Sequence, residues 1–267
     1  MKKQSGVTPA DNARWIAAGY GQGSGETYRP WTLVRDVPSH GLSHMVNSLL
    51  FDRKYHFLST LERNHAWIEE RDPNTTEIRE QVALLPQSET LEIAKDLGVR
   101  HPRHDTGVPT VMTTDLIVTA ISDASKVTVG KFVKYKEVAE TDRYKRIFAI
   151  EKEYWSRRDV VLELSTEEGL RRQFVKNLEW LQVGLSDPEL LDLKPWSSTF
   201  LSSFYSCWSR GDSLGLILKR VERDLECLSG NQLFLLFQWL VWSKRLDVDL
   251  DFELQPCRPV VLGGQSK

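Results

Sequence analysis

Between Glu140 and Arg158, Tyr144, Ile147, Phe148, Tyr154 and Trp155 recur at i, i+3, i+4, i+10 and i+11. That spacing lays a single apolar stripe along an α-helix. Such a helix must cover another apolar surface, and its flanks show which kind. Before it lie Thr113–Val118 and Val129–Lys134, and after it comes Asp159–Leu164, all β-branched or aliphatic runs of strand length. A stripe-bearing helix between such runs predicts an α/β domain with the helix laid on a sheet. Glu151 falls at i+7, in the middle of the stripe. Burying a lone carboxylate is costly, so this acid must meet a cation or a metal. A salt bridge to Lys134 or to an arginine is the structural alternative.

Asp115 opens the first run, and Lys134 lies nineteen residues later inside the second. If the two runs are neighbouring strands, an acid and a cation share one sheet edge. Metal-dependent phosphodiester cleavage uses that pairing, because the acid holds a divalent ion and the lysine neutralises developing charge. Alternation puts Asp115, Ile117 and Thr119 on one face. Phe132, Lys134 and Lys136 share a face of the second strand, so Lys134 and Lys136 are alternatives for one role. From Lys126 to Arg158 there are ten Lys or Arg against five Asp or Glu. This basic surplus suits contact with a phosphate backbone, and equally a solvated helix face.

Upstream, Asp11 is placed to cap a helix over Asn12–Ala18, and Gly19–Gly25 reads as a flexible loop rather than a P-loop, since no Gly-Lys-Ser/Thr follows. Trp31–Val37 and Met45–Phe57 read as strands joined by a turn at Pro38-Ser39-His40-Gly41. A helix is expected from Ser59 to Glu70, with Ser59 and Glu62 at capping-box spacing. Cap and metal ligand are competing uses of the Glu62 carboxylate. Glu77–Pro86 reads as a strand and Thr90–Leu97 as a short helix closed by Gly98. His101 and His104 sit in a Pro-containing loop that lacks the helical setting of a zinc pair.

Downstream, Ser165 is expected to cap a helix over Thr166–Leu181. The chain then turns mainly helical, over Ser197–Ser209, Asp212–Leu228 and Asn231–Arg245. Leu246–Leu254 alternates as a strand, with Leu246, Val248, Leu250, Phe252 and Leu254 inside. Three helices and a terminal strand suggest a winged-helix-like second domain. Its acidic ribbon would repel DNA and favours a protein partner. The boundary falls between 1–168 and 169–267.

At 267 residues, 40% hydrophobic and 27% charged, the chain has the composition of a soluble globular protein, and its net charge of −2 announces no polyanion partner by itself. Three widely spaced cysteines exclude a disulfide scaffold or a Cys-x-x-Cys zinc module and suit the cytoplasm. No apolar region follows Met1-Lys2-Lys3, so a signal peptide is not expected. The apolar run Leu233–Trp242 is shorter than the roughly 20 residues a bilayer requires, so no membrane association is expected.

Five segments stand in order along the chain: Arg29-Pro30-Trp31, Ile78-Arg79-Glu80-Gln81 with Leu84-Leu85-Pro86, Met112-Thr113-Thr114-Asp115, Glu151-Lys152-Glu153-Tyr154-Trp155 and Asn177-Leu178-Glu179-Trp180-Leu181. In order and spacing they resemble the TnsA family of transposon-encoded endonucleases. The resemblance spans roughly residues 20 to 182. It implies a restriction-endonuclease-like PD-(D/E)xK amino-terminal domain and a mainly helical, winged-helix-like carboxy-terminal domain. It carries catalytic roles onto Glu62, Asp115 and Lys134, metal ligation onto Glu62 and Asp115, and accessory roles onto Glu151 and Lys136. The family often has a polar residue two positions before the lysine; here it is Phe132, leaving backbone carbonyls and Glu62 to complete the metal shell.

The resemblance further implies Mg²⁺, with Mn²⁺ as a substitute, and cleavage at the 5′ ends of a transposon during cut-and-paste transposition. The implied partners are transposon-end DNA, the DDE-type transposase TnsB, and the AAA+ ATPase regulator TnsC, the last bound through the carboxy-terminal domain. Two other readings stay open: a stand-alone restriction-type endonuclease, and a catalytically silent protein bridging transposase and ATPase.

Overall fold

The computed structural model describes residues 6–36 and 42–264. The expected turn at Pro38–Gly41 lies outside the described residues. The chain divides into two compact units. One gathers the described residues up to Glu70 together with Asn74–Gly169, and the other Arg71–Pro73 with the described residues from Leu170 onward.

The first unit is mixed α/β. Its α-helices are α1 (Pro9–Ala17), α2 (Thr60–Glu70), α3 (Gln87–Asp96), α4 (Lys136–Ala139) and α5 (Asp142–Ser156). Its strands are β1 (His44–Asn47), β2 (Lys54–Phe57), β3 (Thr75–Ala83), β4 (Thr113–Ser122), β5 (Ser125–Val133) and β6 (Val161–Ser165). β1 and β2 form an antiparallel hairpin, where one strand over Met45–Phe57 is expected from sequence. The other four strands form a mixed sheet in the order β3-β4-β5-β6. β3, β4 and β5 pair antiparallel, and β6 runs parallel to β5 after the α5 crossover. Asp123 and Ala124, both at positive φ (48° and 62°), make the tight β4–β5 turn.

One face of this sheet carries Ile117, Phe132 and Leu162, which pack with Ile150, Tyr154 and Trp155 of α5. The predicted stripe is therefore the cover of the sheet, and its partly buried end, Tyr144, Ile147 and Phe148, extends the same cluster. Lys131, one residue out of phase with Phe132, pairs instead with Glu69 of α2 at 2.9 Å.

Several local expectations are corrected. Thr8, not Asp11, caps α1; Asp11 sits three residues in and closes the capping box. Trp31–Val37 forms no strand among the described residues, which instead turn and enter a 3₁₀ segment at Val34–Asp36. In the glycine loop Gly21 N donates to Arg29 O (2.6 Å), and Gly25 N donates to Glu77 Oε1 (2.7 Å). Ser165 ends β6, and Glu167–Gly169 forms a 3₁₀ turn before α6 begins.

The second unit contains α6 (Arg172–Leu185), α7 (Leu190–Leu193), α8 (Ser197–Cys207), α9 (Leu214–Asp224) and α10 (Gly230–Trp242). α10 is the central core helix: Leu233, Leu236, Phe237, Leu240, Val241 and Trp242 are buried. Ser229 and Gln232 start it with a capping box. The expected strand over Leu246–Leu254 is not formed. Leu246, Val248, Leu250 and Leu254 are buried as the alternation requires, but Phe252 is 51% exposed. The reason is Asn177, whose Nδ2 donates to Leu250 O (2.8 Å) and Phe252 O (2.7 Å), and whose Oδ1 accepts from Leu254 N (3.0 Å). A side chain thus takes the backbone groups that a pairing strand would use. Among the described residues this unit has only isolated bridges, Ser213↔Pro259 and Val248↔Leu262, and no β-ribbon of a winged helix.

Candidate active site

β4 and β5 place Asp115 and Lys134 as the shared-edge reading requires. Lys134 Nζ donates to Asp115 Oδ2 at 2.6 Å and to Val133 O at 2.9 Å, while Val133 N donates to the same Oδ2 at 2.7 Å. The other carboxylate oxygen, Oδ1, accepts no hydrogen bond among the described residues. Burial alone would lower the Lys134 pKa, but the charges of Asp115, Glu62 and Glu151 outweigh it and raise the ammonium above its ordinary value. Lys134 is therefore a fixed cation.

Glu151 projects from α5 into the same cleft and is 1% exposed. Among the described residues Glu151 forms no salt bridge to Lys134 or to an arginine: its Oε2 accepts from the Thr114 hydroxyl at 2.9 Å, and Trp155 Nε1 donates to the same hydroxyl oxygen at 2.7 Å. Burial, and then the Asp115 charge, push its pKa well above the carboxylate range. The Thr114 hydroxyl is the polar partner that this acid finds within the apolar stripe.

Glu62 is buried at the start of α2. Its Oε2 accepts from Leu58 N (2.9 Å) and Gln81 Nε2 (3.2 Å), and its Oε1 from the Ser59 hydroxyl (3.0 Å). Ser59 Oγ accepts from Glu62 N at 3.1 Å, but the carboxylate reaches Leu58 N rather than Ser59 N, so only half of the expected capping box is formed. Burial and the neighbouring Asp115 charge raise the Glu62 pKa to about 7, against the opposing pull of Lys134. The residue does not line the cleft that holds Asp115, Lys134 and Glu151. Lys136 is excluded from that cleft, because its Nζ pairs with Glu168 at 2.8 Å and it lines a different cavity.

Phe132 is 2% exposed and packs against Tyr144 and Phe148, with ring centroids 6.4 and 5.2 Å away. Its ring also lies 4.8 Å from Lys134 Nζ, close enough for a cation–π contact that helps orient the ammonium.

Gln81 received no role from its sequence context. It lies between the Glu80↔Leu116 and Val82↔Thr114 pairs of the β3–β4 register, and it adopts a left-handed φ of 49°, rare inside a strand. Its amide spans Glu62 and the Thr113 hydroxyl, which donates to Oε1 at 3.2 Å. A strand-like sequence carries no sign of such a backbone angle.

The cleft, of about 220 Å³, is also lined by Arg103 and Arg143. Among the described residues, no cluster of three or more His, Cys, Asp or Glu is set to hold a metal. The chemistry of the donors nevertheless suits a hard divalent cation. Asp115 keeps an uncommitted oxygen beside Lys134, and burial, then the Asp115 charge, pushes both Glu62 and Glu151 towards protonation, a strain that a bound dication would relieve. His101 is not a ligand candidate: its ring is fixed by Thr90 Oγ1 (3.0 Å) and Pro102 O (2.9 Å).

Residues 72–167 match the model of the TnsA-like endonuclease N-terminal domain. The chain is 34% identical over 180 residues to the Escherichia coli transposon Tn7 transposition protein TnsA. The match covers 67% of this chain and 65% of that relative.

Proposed function

The chain belongs to the TnsA family, and from that premise we propose that it is a metal-dependent DNA endonuclease subunit of a heteromeric transposase, cutting at the 5′ ends of a transposon. The observation that carries the reading is the Asp115–Lys134 contact at 2.6 Å, lining one cleft with Glu151. Mg²⁺ or Mn²⁺, when bound, would polarise the scissile phosphate and lower the pKa of an attacking water. Asp115 would hold the ion through its uncommitted Oδ1, with Glu62 completing the acidic pair once freed from its cap. Lys134 would stabilise charge developing on the phosphate oxygens. Glu151 would hold a proton beside the reacting group and keep Thr114 oriented. Lys136 is left with no role in the cleft.

No helix among the described residues is long and apolar enough to cross a membrane. The proposed setting is the cytoplasm, with a TnsB-like DDE transposase cutting the 3′ ends and a TnsC-like ATPase docking on the second unit.

A second reading, a silent assembly protein, draws on Phe132, which offers no polar group where the family often has one. Reconstituted excision separates the two. Asp115→Ala and Lys134→Ala should each abolish cleavage at the 5′ ends while leaving 3′ cleavage by the partner. Unchanged 5′ cleavage in either variant would refute the nuclease assignment. Cutting of a defined sequence by the chain alone would favour a stand-alone enzyme.

A further inference from the structure

Beside the catalytic cleft lies a second cavity, of about 490 Å³, lined by Arg100, Arg103, Arg143 and Arg146. The two cavities share Arg103, Arg143, Pro102 and Ile147 in their linings, so they are immediate neighbours. We infer that this arginine groove is the track for the phosphate backbone of duplex DNA flanking the cleaved bond. The inference rests on the endonuclease reading and adds to it the surface that holds the substrate.

Charge is the first argument. The groove presents four arginines and one acid, Asp105. Burial holds the two histidines in its wall, His101 and His104, below their ordinary pKa, so they add no charge at neutral pH. None of the four arginines joins an ion pair among the described residues. Several other cations of the Lys126–Arg158 stretch are committed: Arg157 and Arg158 to Glu89, Lys131 to Glu69 and Lys136 to Glu168. The groove instead gathers four arginines without an ionic partner among the described residues beside the cleft. Guanidinium groups are the side chains best matched to phosphate.

Rigidity is the second argument. The loop that carries Arg103 is tied down before any ligand arrives. Arg103 Nη1 donates to Gly107 O (2.7 Å), His104 N to Val108 O (2.8 Å), and Thr110 N to Pro102 O (3.0 Å). The other wall is helix α5, on which Arg143, Ile147 and Glu151 follow one another at i, i+4 and i+8. Eight residues of helix span about 12 Å, or three to four base-pair steps at roughly 3.4 Å each. A strand laid along this stripe would meet Arg143 a few nucleotides from a phosphate held at Asp115.

The test measures binding of the full chain, carrying Asp115→Ala to prevent cutting, to a fluorescein-labelled duplex oligonucleotide across a salt series. Adding Arg100→Ala and Arg146→Ala should weaken binding about tenfold at low salt and flatten the slope of log affinity against log salt by about two. Arg157→Ala, at a committed arginine, should change neither. The inference is overturned if the double variant binds with unchanged slope, if Arg157→Ala flattens the slope equally, or if the Asp115→Ala chain shows no duplex binding at low salt. Thermal melts of each variant report whether the fold is kept, and charge-conserving Arg100→Lys with Arg146→Lys should restore the slope. Failure of the endonuclease reading would show separately, as 5′ cleavage that survives Asp115→Ala.

Discussion

Lys134 and Lys136 share a face of an extended chain, so alternation left both as candidates for one role. The structure separates them because β5 stops at Val133 and the chain enters α4 at Lys136, taking the second lysine to Glu168. Strand ends depend on tertiary contacts and were not legible in the Val-rich run. Lys134→Ala should therefore lower cleavage by at least about 10²-fold, in the range found for removal of a transition-state donor. Lys136→Ala should stay within about twofold of wild type, checked in the same single-turnover assay. Glu151 was legible as an anomaly, an acid in an apolar stripe, but its partner was not, because a neutral hydroxyl leaves no charge pattern in the sequence. The Glu80 carboxylate in the Arg79-Glu80 pair has a structural role: both its oxygens accept from Arg53, at 3.0 and 2.9 Å, with both side chains buried. Glu80→Ala would strand that guanidinium and should cost about 3–5 kcal/mol. Urea unfolding checks this, and a loss under about 1 kcal/mol would contradict it.

Among the elements, the helices with a clear apolar pattern were the most legible: α5 by its stripe and α10 by its nearly all-round apolar run. The terminal segment misled because period-two burial is real there, while the hydrogen bonds that would make it a strand go to Asn177. α2 ends on Glu70, whose Oε1 accepts from Leu49 N at 2.9 Å. Burial raises its pKa to about 7, although that hydrogen bond and those from Tyr55 and Ser48 oppose the shift. The unfolded chain releases this proton near 4.5 and the folded chain near 7. Stability therefore falls as pH rises between those values, by on the order of 3 kcal/mol at most. Glu70→Gln should remove that fall. Denaturation midpoints across the pH range test it, and parallel curves for the two proteins would refute it. Gly184 on α6 faces α10 so closely that an added Cβ would lie 2.0 Å from Gln238 Oε1. Gly184→Val should destabilise the second unit by about 1–3 kcal/mol through overpacking, read from its thermal transition.

For the molecule as a whole, sequence composition separated an α/β half from a helical half. It missed that Arg71–Pro73, between α2 and β3, belongs to the second unit. Arg71 is buried and donates to Trp242 O (3.1 Å) and Val241 O (2.9 Å), supplying the end of α10 with donors. A lone arginine after a helix gives no sequence sign of a partner about 170 positions away. Arg71→Ala should cost about 1.5–3 kcal/mol and speed hydrogen exchange in the last turn of α10; unchanged exchange there would contradict it. The catalytic proposal, however, lies wholly in the first unit. Its most direct test is strand-specific end cleavage by the purified chain with its partner transposase, with Mg²⁺ and with the metal chelated. The expected result is cutting at the 5′ ends that needs Mg²⁺ and is lost in Asp115→Ala. Cutting at the 5′ ends that persists in Asp115→Ala would contradict the proposal.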